Sequence, residues 1–408
     1  MGKVYFWTMA YNNAATVPRC VDSILNQTKY GDQIEYWFCV NGSTDNTREL
    51  IEEYAKRDPR IKIFYNEKNH EWNEQSSVFW DLTKLMNDDD FCCTLDSDDF
   101  YDLDFLEKMI PFILENDLDF AMTGSDFFDA KTGKVLGRRA LSQTLILDTP
   151  QKFVEYFHVY HQFARTIWSK VYRGRAAKYM ATRNNMPIEL WNTLLKYGYD
   201  TYMLFSVLKH CDRVGIFPGT LHKYQVSIQS ESYKWYNDRF NCDRILYEDA
   251  EEFLNKFGPI SEQNRIFLDH VYANALFDSI KVLTLVQGMA GEEKLKELRK
   301  AIDCRITSNV ISLGYPDIQK TKKSIFDAAL KFGLELKEEN EDLKSVLELI
   351  CPRCAPYVSV DDLELYSRDN VLNNLLFNDD KTELANQIMH ISKMYTNTAK
   401  KFSSVAGS

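Results

Sequence analysis

The stretch from Phe91 to Phe100 constrains the fold more than any other part of the sequence, because an apolar run ends there in a group of carboxylates. Residues 91–95 are mostly apolar, which is typical of a strand buried on both faces of a parallel sheet. Asp96, Asp98 and Asp99 follow immediately. Because ligands of open α/β sheets bind beyond the carboxyl ends of the strands, this turn is predicted to lie at a ligand site.

The three carboxylates of this turn repel one another unless a cation binds between them. Mg2+ and Mn2+ prefer such oxygen ligands and also bind the phosphates of substrates. The motif therefore favours a divalent-metal site. An acidic surface turn without a ligand is the structural alternative.

Short apolar runs alternate with helical patterns before and after this turn. The predicted strands of the first part are 4–9, 34–40, 61–65 and 91–95. Their alternation with helices predicts right-handed βαβ units and a Rossmann-like, mostly parallel central sheet flanked by helices. Since the first, second and fourth strands end in polar residues, the loops at Tyr11, Asn12 and Asn41 are expected to share one edge of the sheet with the acidic turn.

The chain continues this α/β pattern to about residue 230. A strand over 119–123 ends close to Asp126, and a helical pattern over 188–208 breaks at 197–199, which puts Asp200 at the start of the second helix. Further predicted elements are a helix over 103–114, a hairpin turn at 133–134, and short strands over 214–217 and 221–224.

Glycine thins out and charge rises after residue 230, and amphipathic helical patterns dominate. We therefore predict an α/β domain over 1–230 and an all-α extension over 231–408, with a disordered tail from about residue 399. Cys351 and Cys354 form a lone CxxC, and without a second pair of ligands they are interpreted as ordinary thiols.

Composition excludes some classes of function. A formal net charge of -11 argues against non-specific nucleic-acid binding. No apolar stretch is long enough to span a bilayer, and the start has no signal-peptide pattern, so the sequence predicts a cytoplasmic protein. The first strand is not followed by GxGxxG, and no P-loop occurs, which leaves a nucleotide diphosphate reached through a metal ion.

The N-terminal part resembles the inverting family 2 glycosyltransferases of GT-A fold, including those that build bacterial surface polysaccharides. The resemblance covers about residues 3–230 and is carried by 10–13, 23–28, 41–47, 95–99, 168–173, 198–201 and 221–224. It implies transfer of a sugar from a nucleotide diphosphate to an acceptor hydroxyl, with inversion at the anomeric carbon. The implied cofactor is Mn2+ or Mg2+.

The resemblance also implies roles for individual residues. Asp98 is the expected metal ligand, with Asp96 and His222 as further candidates. The expected donor-binding residues are Ala10, Tyr11, Asn12, Asn41, Ser43, Asp96 and Ser97.

An acceptor hydroxyl needs a general base, because its pKa lies far above neutrality. Asp200 is this base by family position, although an Asp at a helix start is also a common N-cap. Asp126, at another strand exit, is the substitute. Trp168 and Lys170 are expected on the acceptor side; core burial is the alternative for Trp168.

The sequence departs from the family pattern on the donor side. Many relatives carry two acidic residues where this chain has Val40 and Asn41, so a UDP-sugar is only the default donor. Residues 69–77 lack the arginine that is usual in that region. The acceptor is expected to be a glycan or a lipid-linked saccharide of surface or capsular polysaccharide. Peripheral association with the inner face of the membrane and oligomerisation through the helical region are compatible with the sequence.

A binding module without turnover is the competing hypothesis. Such a protein would hold a sugar nucleotide or a glycan and dock a partner through its helical region. A degenerate protein is expected to lose at least one of Asp96, Asp98 and Asp200, so the intact set favours an enzyme.

Overall fold

The computed structural model describes residues 2–69, 75–180, 187–226, 234–333, 335–336 and 340–350. Most of the loop over 69–77, Cys351, Cys354 and the tail from about 399 therefore lie outside the described residues. The chain divides into two compact units, Met1–Leu268 and Asp269–Ser408, and each is considered by itself.

The first unit contains one mixed sheet. Its described strands are β1 (Val4–Ala10), β2 (Ile34–Asn41), β3 (Ile61–Asn66), β4 (Phe91–Thr94), β5 (Phe100–Tyr101), β6 (Phe120–Asp129), β7 (Val135–Arg139), β8 (Leu145–Leu147), β9 (Lys170–Arg173) and β10 (Val214–Val226). The strand order is β3-β2-β1-β4-β9-β6-β10-β5, with β7 on β6 and β8 on β10. The strands from β3 to β4 are parallel, as predicted.

The sheet is more mixed beyond β4 than the sequence predicted. β9 is antiparallel to both β4 and β6. The two short strands predicted on either side of Pro218–Gly219 are one strand, β10. Its pairing with β6 shifts register on both sides of Thr220, next to Gly219 with a φ of 79°.

Helices cover the sheet as the βαβ pattern predicted. The described helices up to Leu285 are α1 (Val17–Leu25), α2 (Thr47–Arg57), α3 (Gln75–Leu85), α4 (Phe105–Glu115), α5 (Pro150–Glu155), α6 (Phe157–Tyr160), α7 (Gly174–Ala177), α8 (Ile188–Lys196), α9 (Tyr199–Leu208), α10 (Arg239–Asn255) and α11 (Glu262–Leu285). Val17, Val21 and Ile24 of α1 are fully buried, because positions three and four apart share one helix face. They belong to the core formed with β1 and β2.

The described part of the second unit is helical. After α11 it contains α12 (Gly291–Ile302), α13 (Arg305–Ile311), α14 (Pro316–Gly333) and α15 (Glu341–Ile350). Leu295, Phe332 and Val346 are fully buried in this unit. In the described part of the chain, every helix is too short or too polar to cross a membrane.

The first unit extends beyond the domain end predicted at residue 230. It includes α10, whose Phe253 lies 5.5 Å, between ring centroids, from Phe205 of α9. Residue 230 remains the predicted end of the segment that resembles the family. The compact unit of the structure continues to Leu268.

Candidate active site

The acidic turn, residues 96–99, follows β4 directly. The peptide N–H of Leu95 still donates to the Trp7 carbonyl of β1 at 3.0 Å, and Asp99 N–H closes the turn on the Asp96 carbonyl at 3.0 Å. One oxygen from each of Asp96, Asp98 and Asp99 lies within 4.8 Å of the others. The predicted carboxylate cluster is therefore present at the carboxyl end of a central parallel strand.

The electrostatics of this cluster suit a cation. Desolvation by the surrounding protein raises the pKa of Asp96 well above its usual value, and repulsion from Asp98 and Asp200 raises it further. Desolvation also raises the pKa of Asp98. Oxygen ligands are the donor set that Mg2+ and Mn2+ prefer, so the residues present fit the implied metal. Asp96 nevertheless keeps an exposed surface and Asp98 is half-buried, which leaves both accessible to a ligand.

Asp99 is the fully buried member of the cluster. Its Oδ1 accepts the N–H of Gln225 in β10 at 2.8 Å, and its Oδ2 lies 3.3 Å from Nε2 of His222. His222 is itself fully buried, and its Nδ1 lies 3.1 Å from the Ser125 hydroxyl. In these described contacts, His222 touches Asp99 of the cluster, and it thereby helps to hold the acidic turn in place.

The loops after β1 and β2 lie at the same edge of the sheet, since Ala10 pairs with Val40 in parallel register. Asn12, with a φ of 54°, accepts the N–H of Thr44 at 2.7 Å and donates its own N–H to the Ser43 hydroxyl at 3.0 Å. Among the predicted donor-binding residues, Asn12 and Ser43 therefore bind the two loops to each other.

The remaining predicted donor-binding residues differ in access. Tyr11 is 43% exposed, so its ring is available to a base or sugar. Asn41 is buried, and its Nδ2 donates to Oδ1 of Asn69 at 3.0 Å. Ala10 and Ser97 are also buried.

Asp200 lies in the first turn of α9, as predicted, after Gly198 with a φ of 99°. Burial raises the pKa of Asp200 to about 6, although the charge of Lys170 and a hydrogen bond from the Ile167 backbone lower it. Its charge in turn raises the pKa of Asp96. Asp200 is thus close to the acidic turn and has a pKa that suits a base near neutrality.

Asp126, predicted at a strand exit, lies instead within β6, because that strand continues to Asp129. The Asp126 carboxylate accepts Nε of Arg138 at 2.6 Å, Nζ of Lys223 at 2.9 Å and the Thr220 hydroxyl at 2.9 Å. Burial alone would raise the pKa of Asp126, but these hydrogen bonds outweigh it and lower the pKa. A carboxylate held by two cations is a weaker base than Asp200.

The two residues expected on the acceptor side are mostly buried. Trp168 is 5% exposed and stacks on His222 with a centroid distance of 4.5 Å. Lys170 is 1% exposed, and its ammonium donates to the Thr166 hydroxyl at 3.2 Å and to the Trp168 carbonyl at 3.0 Å. Both side chains are therefore buried against neighbouring residues of the site.

Sequence reasoning did not single out two arginines of this region. Arg19 of α1 donates to the Asp98 carbonyl at 3.0 Å and to Oε1 of Gln225 at 2.8 Å, so it binds the acidic turn to β10. Arg139 of β7 has its guanidinium 5.0 Å from the Trp168 ring. No sequence signal marks either residue, because both contacts join segments that are far apart in the chain.

Comparisons with known proteins agree with this geometry. Residues 7–171 match the family described as Glycosyl transferase family 2. The chain is 25% identical to the putative glycosyltransferase EpsH of Bacillus subtilis (strain 168), over 62% of this chain and 70% of EpsH. It is 34% identical to the chondroitin synthase of Pasteurella multocida (strain Pm70), but there the match covers 28% of this chain and only 11% of the synthase.

A solved structure shares the fold. Residues 1–349 of S. aureus TarS, in complex with UDP-GlcNAc, superpose with a TM-score of 0.55 at 15% identity, over 80% of this chain and 89% of that chain. The predicted GT-A fold, an α/β sheet followed by helices, is confirmed.

Proposed function

Because residues 7–171 form a family 2 glycosyltransferase domain, we propose that this glycosyltransferase is metal-dependent and inverting. It moves a sugar from a nucleotide diphosphate, by default a UDP-sugar, to the hydroxyl of a glycan or lipid-linked acceptor. The observation that carries the proposal is the group of three carboxylates within 4.8 Å at the exit of β4.

The donor side of the proposal rests on the acidic turn and the loops beside it. Asp98 and Asp96 would hold Mg2+ or Mn2+, with Asp99 fixed behind them by Gln225. The bound ion would supply positive charge for the departing diphosphate. Tyr11 offers an exposed ring for the nucleobase. The nucleotide in the TarS complex supports a UDP-sugar as the first donor to test.

The acceptor side of the proposal rests on Asp200. It takes the proton of the acceptor hydroxyl as that oxygen attacks the anomeric carbon from the face opposite the diphosphate, which inverts the configuration. Such a base has to be ionised at neutral pH yet retain basicity, and a pKa of about 6 meets both conditions. Asp126 lacks this balance because Arg138 and Lys223 hold its charge.

The biological setting of the proposal is the synthesis of surface or capsular polysaccharide. The name of chondroitin synthase supports a polysaccharide as the class of product. Since nucleotide sugars are made in the cytoplasm, the enzyme would act there, at the inner face of the membrane where a lipid-linked acceptor is used.

The test of the metal role compares Asp98→Ala with Asp104→Ala. Asp104 is an acidic residue of the same unit that pairs with Lys108. Calorimetric titration with UDP in the presence of Mn2+ should show at least ~10-fold weaker binding for Asp98→Ala, because a metal ligand is lost. Asp104→Ala should bind UDP like the unchanged protein. Equal affinity in Asp98→Ala and the unchanged protein would contradict the metal site.

A further inference from the structure

Two basic residues, Arg165 and Lys170, belong to a short segment, residues 165–170, that contacts the first turn of α9. The Thr201 hydroxyl, next to Asp200, donates to the Arg165 carbonyl at 3.5 Å. The backbone of Ile167 hydrogen-bonds Asp200 itself. Ser169, with a φ of 63°, donates its N–H to the Tyr101 hydroxyl at 3.0 Å and fixes the turn of the segment.

Two cations of this region share one hydroxyl. Oγ1 of Thr166 accepts Nη2 of Arg139 at 3.5 Å and Nζ of Lys170 at 3.2 Å. The Arg139 guanidinium also donates to the Gln162 carbonyl at 2.7 Å, while its Nε is buried without a hydrogen-bond partner among the described residues. Like charges held this close need compensation by negative charge.

The described residues provide little compensation. Within the described ranges, no carboxylate lies within ion-pair distance of Arg139, Arg165 or Lys170. Burial lowers the pKa of Lys170 well below its usual value, and among the described residues it is the charge of Asp200 that raises it. The burial of Arg139, followed by the positive charge of Arg165, lowers the pKa of Arg139 to about 10. Two arginine cations and the buried Lys170 therefore lie near one carboxylate, in a chain with a net charge of -11.

Arg165 is the member of this group that a ligand can reach. It is exposed, whereas Lys170 is buried and the amino groups of Arg139 are occupied by Gln162 and Thr166. A guanidinium has the planar fork that binds the oxygens of phosphates and carboxylates. The backbone carbonyl of Arg165 contacts Thr201 in the first turn of α9, the turn that also carries Asp200.

We propose that the acceptor of this enzyme is anionic, and that Arg165 binds its phosphate or carboxylate group while the neighbouring Arg139 adds positive charge. The inference rests on the proposed function, because Asp200 marks the acceptor side only if it is the base. The donor diphosphate is the other possible source of such an oxyanion, and it is assigned to the acidic turn instead.

The test measures the binding of glycerol 3-phosphate to the full chain by calorimetry, with UDP and Mg2+ present at saturation so that the donor site is filled. Glycerol serves as the neutral counterpart of glycerol 3-phosphate. A second pair, glucuronate and neutral glucose, tests a carboxylate in the same way. The unchanged protein should bind at least one of the two anions and neither neutral compound. Arg165→Ala should weaken anion binding about 10-fold or more, since a charged hydrogen-bond donor is lost.

Two controls separate the possible causes. Arg57→Ala removes an exposed arginine of α2 that pairs with Glu53, and it should leave anion binding within about twofold. Arg165→Lys keeps the charge but not the fork and should restore part of the affinity. UDP binding with Mg2+ should be the same in Arg165→Ala and the unchanged protein.

Three results would overturn the inference: no binding of either anion by the unchanged protein, equal binding by Arg165→Ala, or an equal loss of UDP affinity in Arg165→Ala, which would assign the arginine to the donor diphosphate. Failure of the proposed function looks different. In that case UDP binding would not depend on Asp98 in the metal titration, whatever the effect of Arg165→Ala on anions.

Discussion

Asp126, which lies within β6, and Asp200, in the first turn of α9, have pKa shifts of opposite direction because their neighbours differ. Asp126 is held by Arg138 and Lys223, so its pKa falls, whereas burial raises the pKa of Asp200 to about 6. The sequence could nominate both residues, because it predicted Asp126 at a strand exit and Asp200 at a helix start; the strand in fact continues to Asp129. The sequence could not rank them physically, because Arg138 and Lys223 reach Asp126 from other strands.

Replacing Asp200 by Asn should remove turnover and spare donor binding. The amide is close in shape but cannot accept a proton, so the rate of sugar transfer should fall at least ~100-fold. UDP affinity with Mn2+ should stay unchanged, because the acidic turn is untouched. Asp126→Asn is the comparison: a full loss of turnover there, with normal turnover in Asp200→Asn, would move the base role to Asp126.

The pKa of Asp200 predicts the acid side of the activity profile. Because the base acts when ionised, kcat/KM should rise with pH and level off above a pKa of about 6. The pKa of Asp200 is higher in the folded protein than its ordinary value of 3.8. The free energy of unfolding should therefore fall as the pH rises from 3.8 to about 6.

Lys170→Met should shift this profile to higher pH. The charge of Lys170 lowers the pKa of Asp200, so its removal lets the pKa rise towards the value that burial alone imposes. Rates measured from pH 5 to 9 at saturating Mn2+ would show the shift. An acid limb that stays at the same pH in Lys170→Met would contradict a charge interaction between the two residues.

At the scale of secondary structure, the ends of a few strands position the candidate site. The loops after β1 and β2 and the turn after β4 were predicted to meet, because alternating strands and helices imply parallel strands with a common carboxyl edge. The antiparallel direction of β9 was not predicted, and β9 begins at Lys170, whose charge acts on Asp200. Neither its direction nor its neighbours can be read from a run of four residues.

Gly198 sets the start of α9 and with it the position of Asp200. Its φ of 99° strains any other residue, and a Cβ there would lie 2.9 Å from Cδ1 of Leu246. Gly198→Ala should lower the free energy of unfolding by about 1–2 kcal/mol. It should also reduce kcat more than UDP affinity, because α9 carries the proposed base whereas the proposed donor site is at the acidic turn.

Gly258→Ala is the matched control for this helix start. Gly258 has a φ of 119°, and a Cβ at this position would meet no atom within 4 Å, so the backbone strain is similar but α9 is not moved. Denaturant unfolding and steady-state kinetics on both variants separate the two effects. If kcat fell equally in the two variants, backbone strain alone would explain the loss of turnover, and the position of Asp200 would not.

At the scale of the whole molecule, composition and packing give different ends for the first unit. Composition changes near residue 230, but α10 closes an aromatic cluster of the first unit: the Phe253 ring lies 6.2 Å from Phe153 and 5.5 Å from Phe205. Lys209 also pairs with Asp249 at 2.5 Å. The composition after residue 230 indicates that the following segments are helical. It does not indicate against which residues those helices pack.

The contacts of α10 predict which fragments of this chain fold. A fragment of residues 1–268 should unfold in one cooperative transition and bind UDP with Mn2+, because it keeps the fully buried Phe253. A fragment of residues 1–230 should melt at a lower temperature and bind a hydrophobic dye, because the aromatic rings of α5, α6 and α9 lose their cover. Phe253→Ala in the full chain tests the same packing and should cost about 3–5 kcal/mol of unfolding free energy. If the shorter fragment were as stable as the longer one, α10 would be an appendage, and the catalytic unit would end where the sequence composition changes.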